Sequence, residues 1–191
     1  NETYGSGAEA AYSTRRLNGN VTECMVIRRA SDSTTTTIGF DGSGNISEAD
    51  IETFCTGTSC TVYQWLDQSG NGNTATAAAP ANEPTIYTGG ALVKENGKVA
   101  LDFDGTSDFF EGISKPSSTP AETMAMVLRL DVTTDQRMVG HPTPTQATGS
   151  GRFFVTSGNF AYNDYEANPT ANTRALSAAD TNQNLIFGEV D

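Results

Sequence analysis

The feature that most constrains this chain is the stretch Trp65-Leu66-Asp67-Gln68-Ser69-Gly70-Asn71-Gly72-Asn73, where an apolar run stops and a turn rich in oxygen-bearing side chains begins. Val62, Tyr63, Trp65 and Leu66 have strand-forming character, and Ser-Gly-Asn-Gly-Asn supplies residues that tolerate positive φ. The spacing predicts a strand ending near Asp67. Asp67 with Ser69, Asn71 and Asn73 can either cap the backbone of its own turn or turn several oxygens toward one cation. Both readings stay open at this stage.

The same signature recurs along the chain. Strands are expected at Met25–Arg29, Thr34–Ile38, Thr85–Tyr87, Met124–Leu130, Arg137–Gly140, Gly151–Val155 and Asn184–Val190. Asn96-Gly97 marks a hairpin between Ala91–Lys94 and Val99–Phe103. Residues 8–17 read equally as a short helix or an irregular lead-in. Ser47, with an acidic residue close behind, predicts one short helix near 48–54 with Ile51 and Phe54 as its buried face. Many short strands with almost no helix predict an all-β fold, a two-sheet antiparallel β-sandwich of jelly-roll, concanavalin A-like type. Residues 1–191 fit one domain, and the polar opening and strand-like ending suggest a segment of a longer chain.

Phe40-Asp41-Gly42-Ser43-Gly44-Asn45-Ile46-Ser47 invites a calcium-hand reading, which register rejects. With Ile46 at the eighth position, the first falls on Gly39 and the twelfth on Asp50. Asp102, Asp104 and Asp108 form a second carboxylate-rich turn. No cofactor is expected, with Ca²⁺ left open at Asp67, Asn71 and Asn73 or at Asp102, Asp104 and Asp108. Cys55 and Cys60, with four residues between them and no second ligand pair, predict a local disulfide and an oxidising, extracellular setting. Cys24 reads as a buried thiol.

Eleven basic against 23 acidic residues give a net charge of −12, a field that disfavours nucleic acid and anionic membranes. No run of 18 apolar residues is present to span a bilayer as a helix.

Tyr12-Ser13-Thr14-Arg15, then Arg29-Ala30-Ser31-Asp32 with the threonine run to Ile38, then Thr53-Phe54-Cys55 with Cys60, then Asp67 to Asn73 occur in that order. The series resembles the amino-terminal part of the α-L-arabinofuranosidase B catalytic domain, which implies a sandwich fold, a local disulfide and two catalytic carboxylates later in the domain. The Asp67–Asn73 run, Asn96-Gly97-Lys98 and Leu101–Asp108 also resemble laminin-G-like sandwiches of bacteriophage virion and tail proteins.

Retaining glycosidases hold two carboxylates about 5–5.5 Å apart. Beyond Asp108 no family motif is matched, and Asp164 and Glu166 are the one nearby pair, within a segment read as a solvated acidic turn. Phe160, Tyr162 and Tyr165 are candidates for stacking on sugar. The expected function is therefore a non-catalytic module on an extracellular or virion surface, binding glycans in adhesion or joining neighbouring subunits of an oligomeric appendage such as a tail fibre. The alternatives are a glycoside hydrolase of the α-L-arabinofuranosidase type and a purely structural subunit of a virion or filament.

Overall fold

The computed structural model describes residues 8–112, 122–130, 136–139, 150–156, 159–165, 172–178 and 183–190. Two compact units emerge, Asn1–Ile113 and Ser114–Asp191. Strands and sheets are antiparallel throughout, with one short α-helix among the described residues. This is the all-β sandwich class expected from the strand spacing.

In the first unit, β1 (Glu23–Arg29) pairs with β2 (Thr35–Gly39) on one side and β3 (Cys60–Trp65) on the other. The sheet continues from β3 to β5 (Thr85–Thr88) and β6 (Ala91–Leu92), while β4 (Ala75–Thr76) pairs with β3 beyond that path. β3 occupies the middle of this path, with β1 beside it, and both strands are paired on two sides. Cys24, Met25 and Ile27 are fully buried, and Val62 on β3 and Ile86 on β5 join them in one core. Alternation places Met25 and Ile27 on one face, while Cys24, next to Met25, is buried at a register shift between Glu23 and Met25.

Helix α1 (Glu48–Phe54) closes over that core through Ile51, which is fully buried, with Phe54 packed at its margin. Ser47 caps it, its hydroxyl accepting from the Asp50 amide at 3.4 Å. Residues 8–17, in contrast, contain no helix and run as an irregular lead-in. The hairpin of β7 (Lys94–Glu95) and β8 (Lys98–Val99) turns through Asn96 at φ 48° and Gly97 at φ 74°. Both central residues thus have the positive φ that a two-residue turn matched to strand twist requires.

Cys55 and Cys60 are joined in a disulfide, Cα–Cα 5.9 Å, linking the C-cap of α1 to the start of β3. Such a small ring is worth about 2 kcal/mol by the loop-entropy model. The variant carrying both Cys55→Ala and Cys60→Ala is expected to unfold about 2 kcal/mol more easily in urea. An unchanged midpoint would show the bond to be energetically idle. Cys24 stays a free thiol, donating weakly to the Ser13 carbonyl at 3.3 Å, and burial pushes its pKa up to about 12. It is therefore an inert core group at neutral pH.

In the second unit, β9 (Glu122–Arg129) and β14 (Gln183–Val190) pair over their full eight-residue lengths. A four-stranded sheet runs β10 (Gln136–Val139), β11 (Ser150–Thr156), β12 (Asn159–Tyr165) and β13 (Asn172–Ala178). The segment expected to be a solvated acidic turn is instead strand through Tyr165. The aromatic content of Phe160, Tyr162 and Tyr165 favours extended backbone, and pairing with β11 and β13 on both sides fixes it despite Asn163 and Asp164.

Candidate functional site

The corner at Asp67 binds the lead-in to the sheet. Asp67 Oδ1 accepts from the Ala11 amide at 2.9 Å and the Ser69 amide at 2.8 Å. Its Oδ2 accepts from the Ser69 hydroxyl at 2.6 Å and the Asn73 amide at 3.0 Å. Partial burial is the strongest single influence on this carboxyl and pushes its pKa up, but the hydrogen bonds from Ser69, Ala11 and Asn73 together hold it below the usual range. Hydrogen bonds to the charged form favour that form.

Ser69, Asn71 and Asn73 do converge, though on a backbone oxygen. Asn71 Nδ2 donates to the Glu9 carbonyl at 3.0 Å and Asn73 Nδ2 at 2.8 Å, with the Ser69 hydroxyl, whose hydrogen goes to Asp67, 3.3 Å from the same oxygen. Through these bonds the two asparagine Nδ2 groups tie the turn to the lead-in, the capping arrangement. Next to them Gln68 is fully buried. Its Oε1 accepts from the Leu17 amide at 2.7 Å, and its Nε2 donates to the carbonyls of Ser13 at 2.8 Å and Arg15 at 3.2 Å. The lead-in is wrapped around this one amide. Sequence reasoning passed over Gln68 because a glutamine reads as a surface residue.

Asp104 closes the second acidic turn. Its Oδ1 accepts from the amides of Thr106 at 2.8 Å, Ser107 at 2.7 Å and Asp108 at 3.0 Å, and its Oδ2 from the Ser107 hydroxyl at 2.8 Å. Those backbone donors hold the Asp104 carboxyl far below the usual range. Asp108 Oδ2 accepts from the Asp104 amide at 3.0 Å, and partial burial, followed by the charges of Asp104 and Asp102, raises its pKa. Asp102 pairs through its backbone with Thr85. Asp104 and Asp108 thus close one turn together, and Asp102 lies near enough for its charge to act on Asp108. Among the described residues no group of three His, Cys, Asp or Glu is placed to hold a metal ion.

These turns set the acid response. Asp67 and Asp104 have depressed folded-state pKa values, and Asp32, held mainly by its hydrogen bond from Arg29, sits at about 2. Depressed carboxyls stabilise the fold fully above their unfolded value of about 3.9, and that contribution is lost as pH falls through the folded values. Asp108 works in the opposite direction and offsets part of it. The melting temperature is expected to fall steadily from pH 4 to pH 2; a flat profile would contradict the turn-closing roles.

Behind both turns runs an aromatic row that the sequence did not reveal. Ring centroids lie 5.9 Å apart for Tyr12 and Trp65, 6.3 Å for Trp65 and Phe110, and 5.8 Å for Phe110 and Phe103. The Tyr12 hydroxyl donates to the Asn73 carbonyl, and burial, aided by the Asp67 charge, raises its pKa to about 12. The row therefore joins the lead-in, the end of β3 and the acidic turn.

Of the other predicted residues, Phe160, Tyr162, Asp164 and Tyr165 all lie on β12. Asp164 stands in register between Gly151 and Asn172, Tyr162 between Phe153 and Arg174, Phe160 between Val155 and Ser177, and Tyr165 opposite Ser150. Glu166 lies outside the described residues.

The geometry defines an all-β fold of the sandwich class in which carboxylates of the first unit close turns and position a lead-in. Its fold is shared with a solved arabinofuranosidase complexed with arabinofuranosyl-α-1,2-xylobiose, at a TM-score of 0.50 and 20% identity over 93% of this chain and 54% of that one. The family profile described as alpha-L-arabinofuranosidase B, catalytic, matches residues 2–113. The chain belongs to that family.

Two relatives carry the same description. Alpha-L-arabinofuranosidase B of Emericella nidulans is 38% identical over 117 residues, covering 52% of this chain and 22% of the relative. That of Aspergillus kawachii is 47% identical over 55 residues, covering 28% and 11%. The chain thus matches about a fifth or less of the length of these relatives.

The family corrects the functional expectation. A non-catalytic adhesion module, virion structural protein or tail fibre is overturned, because the matching family is a catalytic domain. The resemblance to laminin-G-like phage proteins finds no support in these matches. The expectation failed because it weighed the unmatched region after Asp108 above the matched one before it.

Proposed function

We propose that this chain forms part of the catalytic domain of a glycoside hydrolase that removes α-L-arabinofuranosyl groups from glycans. The observation that supports it is the family match over residues 2–113, which takes in the disulfide, the Asp67 corner and the hairpin. The disulfide fits a secreted, extracellular enzyme. In this reading the first unit supplies scaffold. Asp67, Asp104 and Glu83 are each engaged in turn closure or an ion pair, and carboxylates so committed make poor nucleophiles or proton donors.

Glycoside hydrolysis requires one carboxylic acid to protonate the leaving oxygen and a second carboxylate, either as nucleophile about 5–5.5 Å away or as base about 6.5–9.5 Å away. Asp164 and Glu166 remain the candidates for this pair. The test is release of arabinose from arabinofuranosyl-xylobiose by the intact natural protein and by its Asp164→Asn and Glu166→Gln variants. A loss of about 10³-fold or more in either variant supports the assignment. Full activity in both would place the acid pair elsewhere, and no arabinose from the unmodified protein would end the hydrolase reading.

A further inference from the structure

A cleft of ≈ 410 Å³ opens in the first unit between the lead-in, the loop before α1 and the β7–β8 hairpin. That volume lies in the range of small-molecule sites, about 300–1,000 Å³. Its walls are braced. Arg16 N donates to Gly44 O and Ile46 N to Thr14 O, both at 2.7 Å, and Lys94 Nζ meets Glu48 Oε2 at 2.7 Å, tying the hairpin to the helix. Ile46 and Val99, both buried, lie at its floor.

The charges lining the cleft are unequally committed. Asp41 Oδ1 accepts from the amides of Ser43 at 2.8 Å and Asn45 at 2.9 Å, within its own turn. Glu48 is paired with Lys94. The ion pairs among the described residues are Arg28–Glu83, Arg29–Asp32 and Lys94–Glu48, and neither Arg15 nor Lys98 takes part in any of them. Both are exposed and both line the cleft. With Glu48 neutralised by Lys94, the lining carries two cations, Arg15 and Lys98, against one carboxylate, Asp41, whose charge the amides of its turn do not cancel; in a chain of net charge −12 that local excess of positive charge favours an anion.

We propose that this cleft binds a carboxylated sugar, a uronate, its carboxylate held between Arg15 and Lys98 and its ring hydroxyls turned toward Asn45 and Ser47. Arginine offers a carboxylate a planar fork of donors and lysine a point charge. Ser47 accepts a backbone amide and still has a hydroxyl hydrogen to donate, while the Asn45 amide can donate and accept. The carboxylate part of this inference stands on the cleft alone; the sugar part rests on the proposed hydrolase reading.

The intact protein is titrated with D-glucuronate, D-xylose and acetate by isothermal calorimetry, alongside its Arg15→Gln and Lys98→Gln variants. Glucuronate is expected to bind at low millimolar or tighter dissociation constant, at least tenfold more tightly than xylose or acetate, and more weakly in 0.5 M salt. Each variant is expected to lose at least tenfold in glucuronate affinity with an unchanged melting temperature and unchanged hydrolysis of a neutral aryl arabinofuranoside. No heat with glucuronate, equal affinity for xylose or acetate, or variants that bind as the unmodified protein does would each overturn the proposal. Because hydrolysis of the neutral substrate is read separately, failure of the cleft and failure of the hydrolase reading are distinguishable.

Discussion

Truncating Gln68 to Ala lowers the unfolding free energy by about 3–5 kcal/mol and releases the lead-in. The side chain is fully buried and satisfies one amide and two carbonyls of residues 13–17. Its removal leaves those groups without partners, at about 1–3 kcal/mol for a buried unsatisfied group, and opens a cavity as well. Gln68→Glu is expected to do at least as much harm, since a carboxylate in place of Nε2 would face the Ser13 and Arg15 carbonyls with no donor. Urea denaturation gives the stability change. Hydrogen exchange gives its location, with the Leu17 amide losing protection before the amides of β1 do. Uniform loss across both would mean that the lead-in is not a separately held layer.

Arg28→Ala is the second large effect, at about 3–5 kcal/mol. The Glu83 side chain has 0% exposure, and its carboxylate accepts from Arg28 Nε at 2.8 Å and from the Thr61 hydroxyl at 2.5 Å. The guanidinium also lies 4.9 Å from the Tyr63 ring centroid. Removing one member of a buried pair strands the other charge, which is far costlier than losing the pair's net attraction. Adding Glu83→Gln to Arg28→Ala is therefore expected to recover a substantial part of the loss, by removing the stranded charge. If the double variant is as unstable as the sum of the two single ones, the pair is not coupled and this explanation fails.

How much of this could be read from the chain depends on how local the cause is. Ser47 before an acidic turn, Asn96-Gly97 between short apolar runs, and Cys55 with Cys60 act within a few residues, and helix, hairpin and disulfide all formed there. The Asp67 loop was legible as a cap or a cation site. The partners of the cap, Ala11 and Glu9, lie nearly 60 positions earlier, and their backbone groups complete it. Gln68 and the aromatic row were hidden for the same reason, since each joins segments that the sequence keeps far apart. At β12 and β13 the local signal was weak, with Asn163, Asp164 and Asn172 all poor strand formers. Pairing across the sheet decided the conformation there.

The family was legible in the motifs of the first hundred residues, and the error lay in giving more weight to what followed them. A fold by itself carries no activity, so the assignment to a hydrolase rests on the family match. The measurement that tests it most directly is turnover of 4-nitrophenyl α-L-arabinofuranoside by the intact natural protein. A kcat in the ordinary enzymatic range, about 1–10³ s⁻¹, abolished once Gln68→Ala is warmed past its lowered unfolding midpoint, is the predicted result. Nitrophenol release no faster than in buffer, from protein that is fully folded, would contradict it.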